Sequence, residues 1–594
     1  MTTTTTDIVP DVTDRARLTI EQALYFLLAM VAAILRLGRL GETPLSPSEA
    51  ENALAVWQFW QTASAEALMV PASPAYFSLT ALLTPVIGFS DISVRLIPAL
   101  AGIGMILALF PLRSFLGRFG GIVAAVLLAV SPTLTVASRT AGGDVLAMLA
   151  ALLLVGRWWR FRRDSDGDHL YWVIGLTAFG LTTAPIFYGF LLTFALACGL
   201  EYLLGPSLSP PNRTPIELTP ELRRTGGIIA AMVLFLSGTF FVTNLSGLTG
   251  VANLLVTWLS NFRFSSDILL WLEPLFALSR YELLALVLGL TATIWATWVG
   301  EPRGNFFAYW YVIVIALMVV QVGYLANVML LTLPAYLLVG RFAHIMFVQS
   351  DWSWRFDPYE KPSFLWPLTF LLIALALVIA INLGRYARVS LYNADDVSNL
   401  LLAFICLSTM IFMWLIITVW DQQSAWTSGI LLLITLAVIL NWGMSWRLGV
   451  VASQDTRERW IVEAADDELP LLVEAITEVA NETGSIVTST EIYSTIDHPL
   501  VRWYLRDLDN ITYGTALPNG ATPALALTAD TSADNSPAFG SDYIGTDFGF
   551  IRTDNDTLQT NANVLRWWFF AQSFQEIPEE RVVLWLRTDL IGVE

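Results

Sequence analysis

Between residues 19 and 445 the chain is a succession of apolar runs, each about 17 to 24 residues long and separated by short polar connections. A run of that length, rising about 1.5 Å per residue, spans the ~30 Å hydrocarbon layer of a bilayer as a helix, which satisfies all its own backbone groups there. Runs at about 19–39, 94–112, 120–138, 143–160, 170–183, 184–204, 226–243, 279–299, 306–323, 325–346, 366–383, 399–419 and 426–445 predict thirteen crossings. The stretch 170–204 is too long for one crossing, and Thr182-Thr183-Ala184-Pro185 marks the expected break. From residue 446 the period changes. Trp460-Ile461-Val462, Gly484 to Thr488 and Val582 to Leu586 read as strands, Pro470 to Ala480 and Pro499 to Leu505 as helices, and Thr528 to Gly540 as a loop. The expected fold is a polytopic α-helical membrane domain over 19–445 and a soluble, acidic, three-layer α/β domain over 446–594, after a disordered lead-in at 1–18.

Composition removes the alternatives to a membrane fold. Of 594 residues, 55% are hydrophobic and 14% charged, more apolar surface than one soluble core can hide. Charge is unevenly placed: from Arg447 onward there are 24 Asp and Glu against 9 Arg, which is −15 of the chain's −18. Such a surface repels nucleic acid and anionic lipid headgroups, and it suits solvent. Basic residues fall at alternate connections, namely Arg15 and Arg17, Arg113 and Arg118, Arg157 to Arg163, Arg213 to Arg224, Arg303, and Arg355 with Lys361. The positive-inside rule assigns these to the cytoplasm and the connections 40–93, 139–142, 244–278 and 384–398 to the outer face, although Arg385 and Arg388 run against it. An odd number of crossings then puts the C-terminal domain outside as well. Cys198 and Cys406 lie within apolar runs, and His169, His344 and His498 lack ligand spacing, so no disulfide and no zinc or iron centre is expected, while a divalent cation stays open.

Candidate chemistry concentrates in the outer connections. In 40–93, Ser46 is a suitable N-cap, Pro47 fits the first helical position, and Glu49 falls three after the cap. Ala50, Ala53, Leu54, Trp57 and Trp60 then recur at helical spacing, as in a helix lying on the membrane surface. Glu49 can complete a capping box, or it can deprotonate an acceptor hydroxyl from a rigid helix start. Asp144 follows Ser138-Arg139-Thr140-Ala141-Gly142-Gly143 at a second helix start, where Arg139 is a candidate ion-pair partner. An anionic ligand would need a cation. With one Lys in the chain, Arg263 in the connection 244–278 and Arg280, just before Tyr281-Glu282, are the candidates.

Arg36-Leu37, Leu40-Gly41, Pro44-Leu45 and the acidic helix start, then Ser90 to Leu100, Ser131-Pro132, Ser138-Arg139 and Asp144, resemble the opening of the GT-C membrane glycosyltransferases. These include the relatives of protein O-mannosyltransferases and of the lipid A aminoarabinose transferase. Trp503-Tyr504-Leu505-Arg506-Asp507 with Tyr513-Gly514 resembles the C-terminal domain of the prokaryotic flippase-activity-associated branch. The resemblance implies an inverting transfer at the outer face, from a polyprenyl-phosphate-linked sugar that arrives through membrane lipid. Glu49 would be the base and Asp144 its support, with Arg139, Arg263, Arg280 and Glu282 lining the substrate. Relatives usually carry Asp-Glu where this chain has Ser48-Glu49, a His-Gly-Pro-like stretch where it has Ser73-Pro74-Ala75-Tyr76, and a basic residue near Gly323-Tyr324-Leu325-Ala326-Asn327. These departures leave open a non-catalytic member that binds the lipid carrier as a scaffold.

Overall fold

The structure, a computed structural model, describes residues 19–61, 69–164, 166–204, 220–266, 268–349, 364–389, 397–482, 491–508, 510–516, 522–529, 542–553, 567–568 and 577–590. The expected lead-in, the strand at 484–488 and the loop beyond 529 lie outside the described residues. Helices α1 (Ile20–Leu37), α2 (Pro47–Gln61), α3 (Pro74–Ile87), α4 (Asp91–Leu116), α5 (Arg118–Ala129), α6 (Pro132–Arg139), α7 (Asp144–Asp164), α8 (Gly167–Gly180) and α9 (Ile186–Leu204) open the chain. They are followed by α10 (Pro220–Gly238), α11 (Ser246–Ser260), α12 (Ile268–Tyr281), α13 (Leu283–Val299), α14 (Pro302–Val320), α15 (Ala326–Gln349), α16 (Leu365–Val389), α17 (Ser398–Trp420) and α18 (Gln422–Trp446).

Each expected crossing falls on one or two of these helices. By length and composition, 8 are apolar enough to cross a membrane, and up to 10 if two bent pairs each count as one. The remaining expected crossings coincide with α7, α8 and α10. Clustered arginines in α7 and α10 and the 14 residues of α8 keep these helices below that standard. The turn at Thr182-Thr183 divides α8 from α9 where Pro185 predicted it. Helix α3 was not foreseen, although Pro74 stands at its first position after Ser73.

The crossing expected at 120–138 is not one helix. It breaks between α5 and α6 with a bend of 58°, and buried side chains occupy the freed backbone groups. Arg36 donates to the carbonyls of Leu128 and Ala129 at 3.2 and 3.1 Å, answering the C-terminal end of α5. Glu282 accepts from the Thr133 amide at 3.0 Å and its hydroxyl at 2.6 Å, answering the N-terminal end of α6. A cation at a helix C-terminus and a carboxylate at an N-terminus are the favourable signs for both dipoles. Glu282 itself sits at the α12–α13 break, which turns by 97°.

Beyond Trp446 the chain forms a six-stranded mixed sheet: β1 (Glu463–Ala465), β2 (Ile492–Ser494), β3 (Ile511–Tyr513), β4 (Leu525–Ala529), β5 (Tyr543–Thr553) and β6 (Glu579–Arg587), in the order β1-β5-β6-β4-β2-β3. Helices α19 (Leu469–Glu482) and α20 (Pro499–Tyr504) fall where helices were expected, and β6 contains the expected strand at 582–586. The strand expected at 460–462 begins three residues later. The Ile461 amide donates to the Glu458 carbonyl in a turn, and Trp460 packs edge-on against Tyr281. That turn is anchored to the helical body by Glu458, fully buried, which pairs with Arg280 and Arg447 and accepts from the Tyr281 hydroxyl at 3.0 Å. Arg459 pairs with Glu273 at 2.8 Å. These two locks hold the sheet region against the helices.

Candidate functional site

Helix α2 begins as the capping pattern predicts. The Glu49 amide approaches Ser46 Oγ at 3.4 Å and the Ser46 amide donates to Glu49 Oε2 at 2.9 Å. The Glu49 carboxylate does more than cap. Arg95, one turn into α4, donates from Nε to Oε1 at 2.8 Å and from Nη2 to Oε2 at 2.7 Å, a two-point clamp. Glu49 Oε1 also accepts from the Ala141 amide at 2.8 Å, while Asn52 Nδ2 donates to the Ala141 carbonyl at 2.9 Å. Thus α2 grips the α6–α7 connection by both polar groups of one residue. Glu49 is 4% exposed and Arg95 5%. Burial alone would raise the Glu49 carboxyl, but the guanidinium and the backbone donors of Ser46 and Ala141 outweigh it and hold the group below the usual carboxylate range.

The Glu49 carboxylate thus accepts four hydrogen bonds and is held in its charged form, which ties the start of α2 to α4 and to the α6–α7 connection. Arg139 is also committed. Its Nη1 and Nη2 donate to the carbonyls of Leu35, Arg36, Gly38 and Arg39, between 2.7 and 3.2 Å, and cap the end of α1. It makes no ion pair with Asp144.

Arg280 and Glu282 stand away from these groups. Arg280 spends its guanidinium on Glu458 and on the carbonyls of Trp567 and Trp568, holding the sheet region in place. The Glu282 carboxylate is occupied by Ser131, Thr133 and Tyr336 inside the helical body. Arg263 is different. It is exposed in the connection after α11, and its Nη2 would lie 3.7 Å from a Cβ built on Gly323.

Gly323, at φ 72°, forms the turn between α14 and α15 and lines a cavity of about 540 Å³. One wall comes from the 40–49 connection, α4 and the α6–α7 connection, with Glu49, Arg95, Arg139 and Asp144. The opposite wall comes from Leu448 to Ala465 of the sheet region. Asp144 is half-buried at the start of α7, and its carboxylate makes no hydrogen bond or ion pair with any described residue. Tyr324 lines the same cavity. Gly143 is required just before Asp144, because a Cβ there would meet the Thr183 carbonyl at 2.1 Å and Ser73 Oγ at 2.2 Å. The structure therefore brings Glu49, Arg139 and Asp144 to one cavity with Arg263 near its rim, and takes Arg280 and Glu282 elsewhere. Sequence reasoning missed Arg95 and Tyr324. Arg95 stood inside the Ser90–Leu100 pattern, and its charge within an apolar run was the available signal.

Residues 71–236 match the family described as dolichyl-phosphate-mannose-protein mannosyltransferase. A search of curated protein sequences found no match. Among solved structures, ArnT from Cupriavidus metallidurans bound to undecaprenyl phosphate aligns at a TM-score of 0.55 and 12% identity, over 96% of this chain and 99% of that one. Its apo state aligns at 0.52 and 12%, over 97% and 100%. At this identity the likeness is one of fold, and the fold is the GT-C type that the sequence resemblance implied.

Proposed function

We propose that this chain is a GT-C glycosyltransferase that moves a sugar from a polyprenyl phosphate to an acceptor hydroxyl at the outer face of the membrane. The observation that carries the reading is Asp144, a carboxylate without a partner among the described residues, in the cavity of a fold shared with a protein crystallised on undecaprenyl phosphate. In the reaction the Asp144 carboxylate takes the acceptor proton, and the acceptor oxygen attacks the anomeric carbon. The bond from that carbon to the phosphate oxygen breaks, releasing polyprenyl phosphate with inversion at the sugar. Arg263, near the Gly323 turn and without the carbonyl contacts that occupy Arg139, is the cation assigned to the phosphate as its charge develops. Glu49 and Arg95 keep the wall rigid and leave the proton transfer to Asp144.

The reading includes thirteen crossings, an N-terminus in the cytoplasm and residues 446–594 as an outer domain over the cavity, as the arginine distribution implies. A second reading has one specific observation in its favour. The acid that the resemblance implies as base, Glu49, already accepts four hydrogen bonds, as it would in a carrier-binding scaffold that has lost turnover. Purified protein in nanodiscs, offered a panel of short-chain polyprenyl-phosphate hexoses, separates the two. Release of polyprenyl phosphate that Asp144→Asn abolishes supports the transferase, and binding without release supports the scaffold.

A further inference from the structure

The motif Trp503-Tyr504-Leu505-Arg506 lies outside the chemistry above, yet it meets the cavity wall directly. Trp503, fully buried, donates from Nε1 to Asp91 Oδ1 at 2.8 Å. The Tyr504 hydroxyl donates to Asp91 Oδ2 at 2.7 Å and accepts from the Leu45 amide at 2.8 Å. Arg506 donates to the Phe89 carbonyl at 3.2 Å. Asp91 opens α4, and Arg95 stands one turn along the same helix.

The segment Leu40–Ser46 is therefore gripped twice. From the helical body Arg95 takes the carbonyls of Leu40 at 3.1 Å, Thr43 at 2.8 Å and Pro44 at 3.0 Å. From the sheet region Tyr504 takes the Leu45 amide, the next donor along. Leu40, Thr43, Pro44 and Ser46 line the cavity. Attachment of the sheet region does not depend on this contact, because Glu458 and Arg459 lock it to α12 some distance along the sequence. Burial, and then the neighbouring Asp91 carboxylate, push the Tyr504 phenol well above its ordinary range, so it stays protonated and remains the donor.

We propose that Trp503 and Tyr504 are positioning residues: acting through Asp91 and the Leu45 amide, they set the shape of the Leu40–Ser46 wall, so that docking of the C-terminal sheet region and competence of the cavity are coupled. The role in turnover rests on the transferase reading, while the structural coupling does not. Neither side chain touches the reacting atoms. Their effect is to hold a segment whose amide and carbonyls would otherwise turn to water and widen the space beside Asp144.

The test uses the full chain in nanodiscs, with Tyr504→Phe, Asp91→Asn and the double variant. Hydrogen exchange over residues 40–46 should quicken in each variant, while β4 and β6 keep the wild-type rate. The double variant should be no worse than the worse single variant, because both break one network. With a polyprenyl-phosphate hexose that the wild type turns over, kcat should fall about tenfold, the worth of one buried hydrogen bond, with the donor KM within about twofold. Wild-type exchange over 40–46 in Tyr504→Phe would overturn the proposal. So would quickened exchange in β4 and β6 together with the loop, which would mean loss of folding and not of positioning. If the wild type turns over no donor, the transferase reading falls and the exchange measurement still decides the coupling.

Discussion

The starts of α2 and α7 place two carboxylates in the same cavity, and their surroundings could hardly differ more. Glu49 is enclosed by Arg95, Ser46 and Ala141, whereas Asp144 has no such partner among the described residues. The cause is local. Ser46 and Glu49 stand at capping spacing, so the glutamate folds back over its own first turn, where Arg95 and the Ala141 amide can reach it. Asp144 follows Gly142-Gly143, with no serine or threonine at the cap to engage, and Gly143 is pressed against the Thr183 carbonyl. An acidic helix start near a membrane surface is thus not enough to name a base. What decides is how many donors the fold has already spent on it.

Breaking the closed side of this comparison should cost the most. Arg95→Met leaves Glu49 buried without its cation and strips three carbonyls of the 40–44 connection, so unfolding in detergent should be easier by about 3–5 kcal/mol. A thermal or denaturant midpoint close to wild type would show that Glu49 is solvated and free for other work. Glu458→Gln removes the charge shared by Arg280 and Arg447 and should destabilise by about 3 kcal/mol. Limited proteolysis near residues 447–460 should accelerate while α4 and α15 stay protected.

Severing a hydrogen bond to the α6 start is a smaller change. Tyr336→Phe leaves Glu282 with its Ser131 and Thr133 donors and should cost about 1–2 kcal/mol, read from the same unfolding curves. The smallest effect sharpens the picture of the sheet region alone. His498 caps α20 by accepting the Leu500 amide on Nδ1 at 3.2 Å, and burial pushes its pKa down despite the pull of Glu580, Glu463 and Asp497. The folded state therefore prefers the neutral ring. Its contribution is complete above the unfolded pKa of about 6.5 and is lost as pH falls below that through the folded value. His498→Asn keeps an N-cap and should flatten this acid-side loss of stability by a few tenths of a kcal/mol.

Much of the architecture was legible because lipid imposes a simple rule on sequence. Each apolar run had to be helical, and the Thr182–Pro185 break and the Ser46 cap were written in local chemistry. The break at Val130–Ser131 was not legible, because the groups that answer it, Arg36 and Glu282, stand about 95 and 150 residues away in sequence, judged by the contacts to Ala129 and Thr133. Arg36, Arg95 and Glu282, near the ends of their expected runs, are buried, each satisfied by tertiary partners. The same reason explains the site. Spacing located Glu49, Arg139 and Asp144, but it could not show that Arg95 and the end of α1 consume the first two.

In the proposed transferase the open carboxylate does the chemistry and the closed one does not. The direct measurement is release of polyprenyl phosphate from a turned-over polyprenyl-phosphate hexose by Asp144→Asn and Glu49→Gln, each normalised to folded protein from its own unfolding curve. The account predicts that Asp144→Asn loses about 10²–10⁴-fold in kcat with wild-type stability, whereas Glu49→Gln loses stability first and keeps most of its turnover per folded molecule. Full turnover by Asp144→Asn, or a stable Glu49→Gln without turnover, would contradict it.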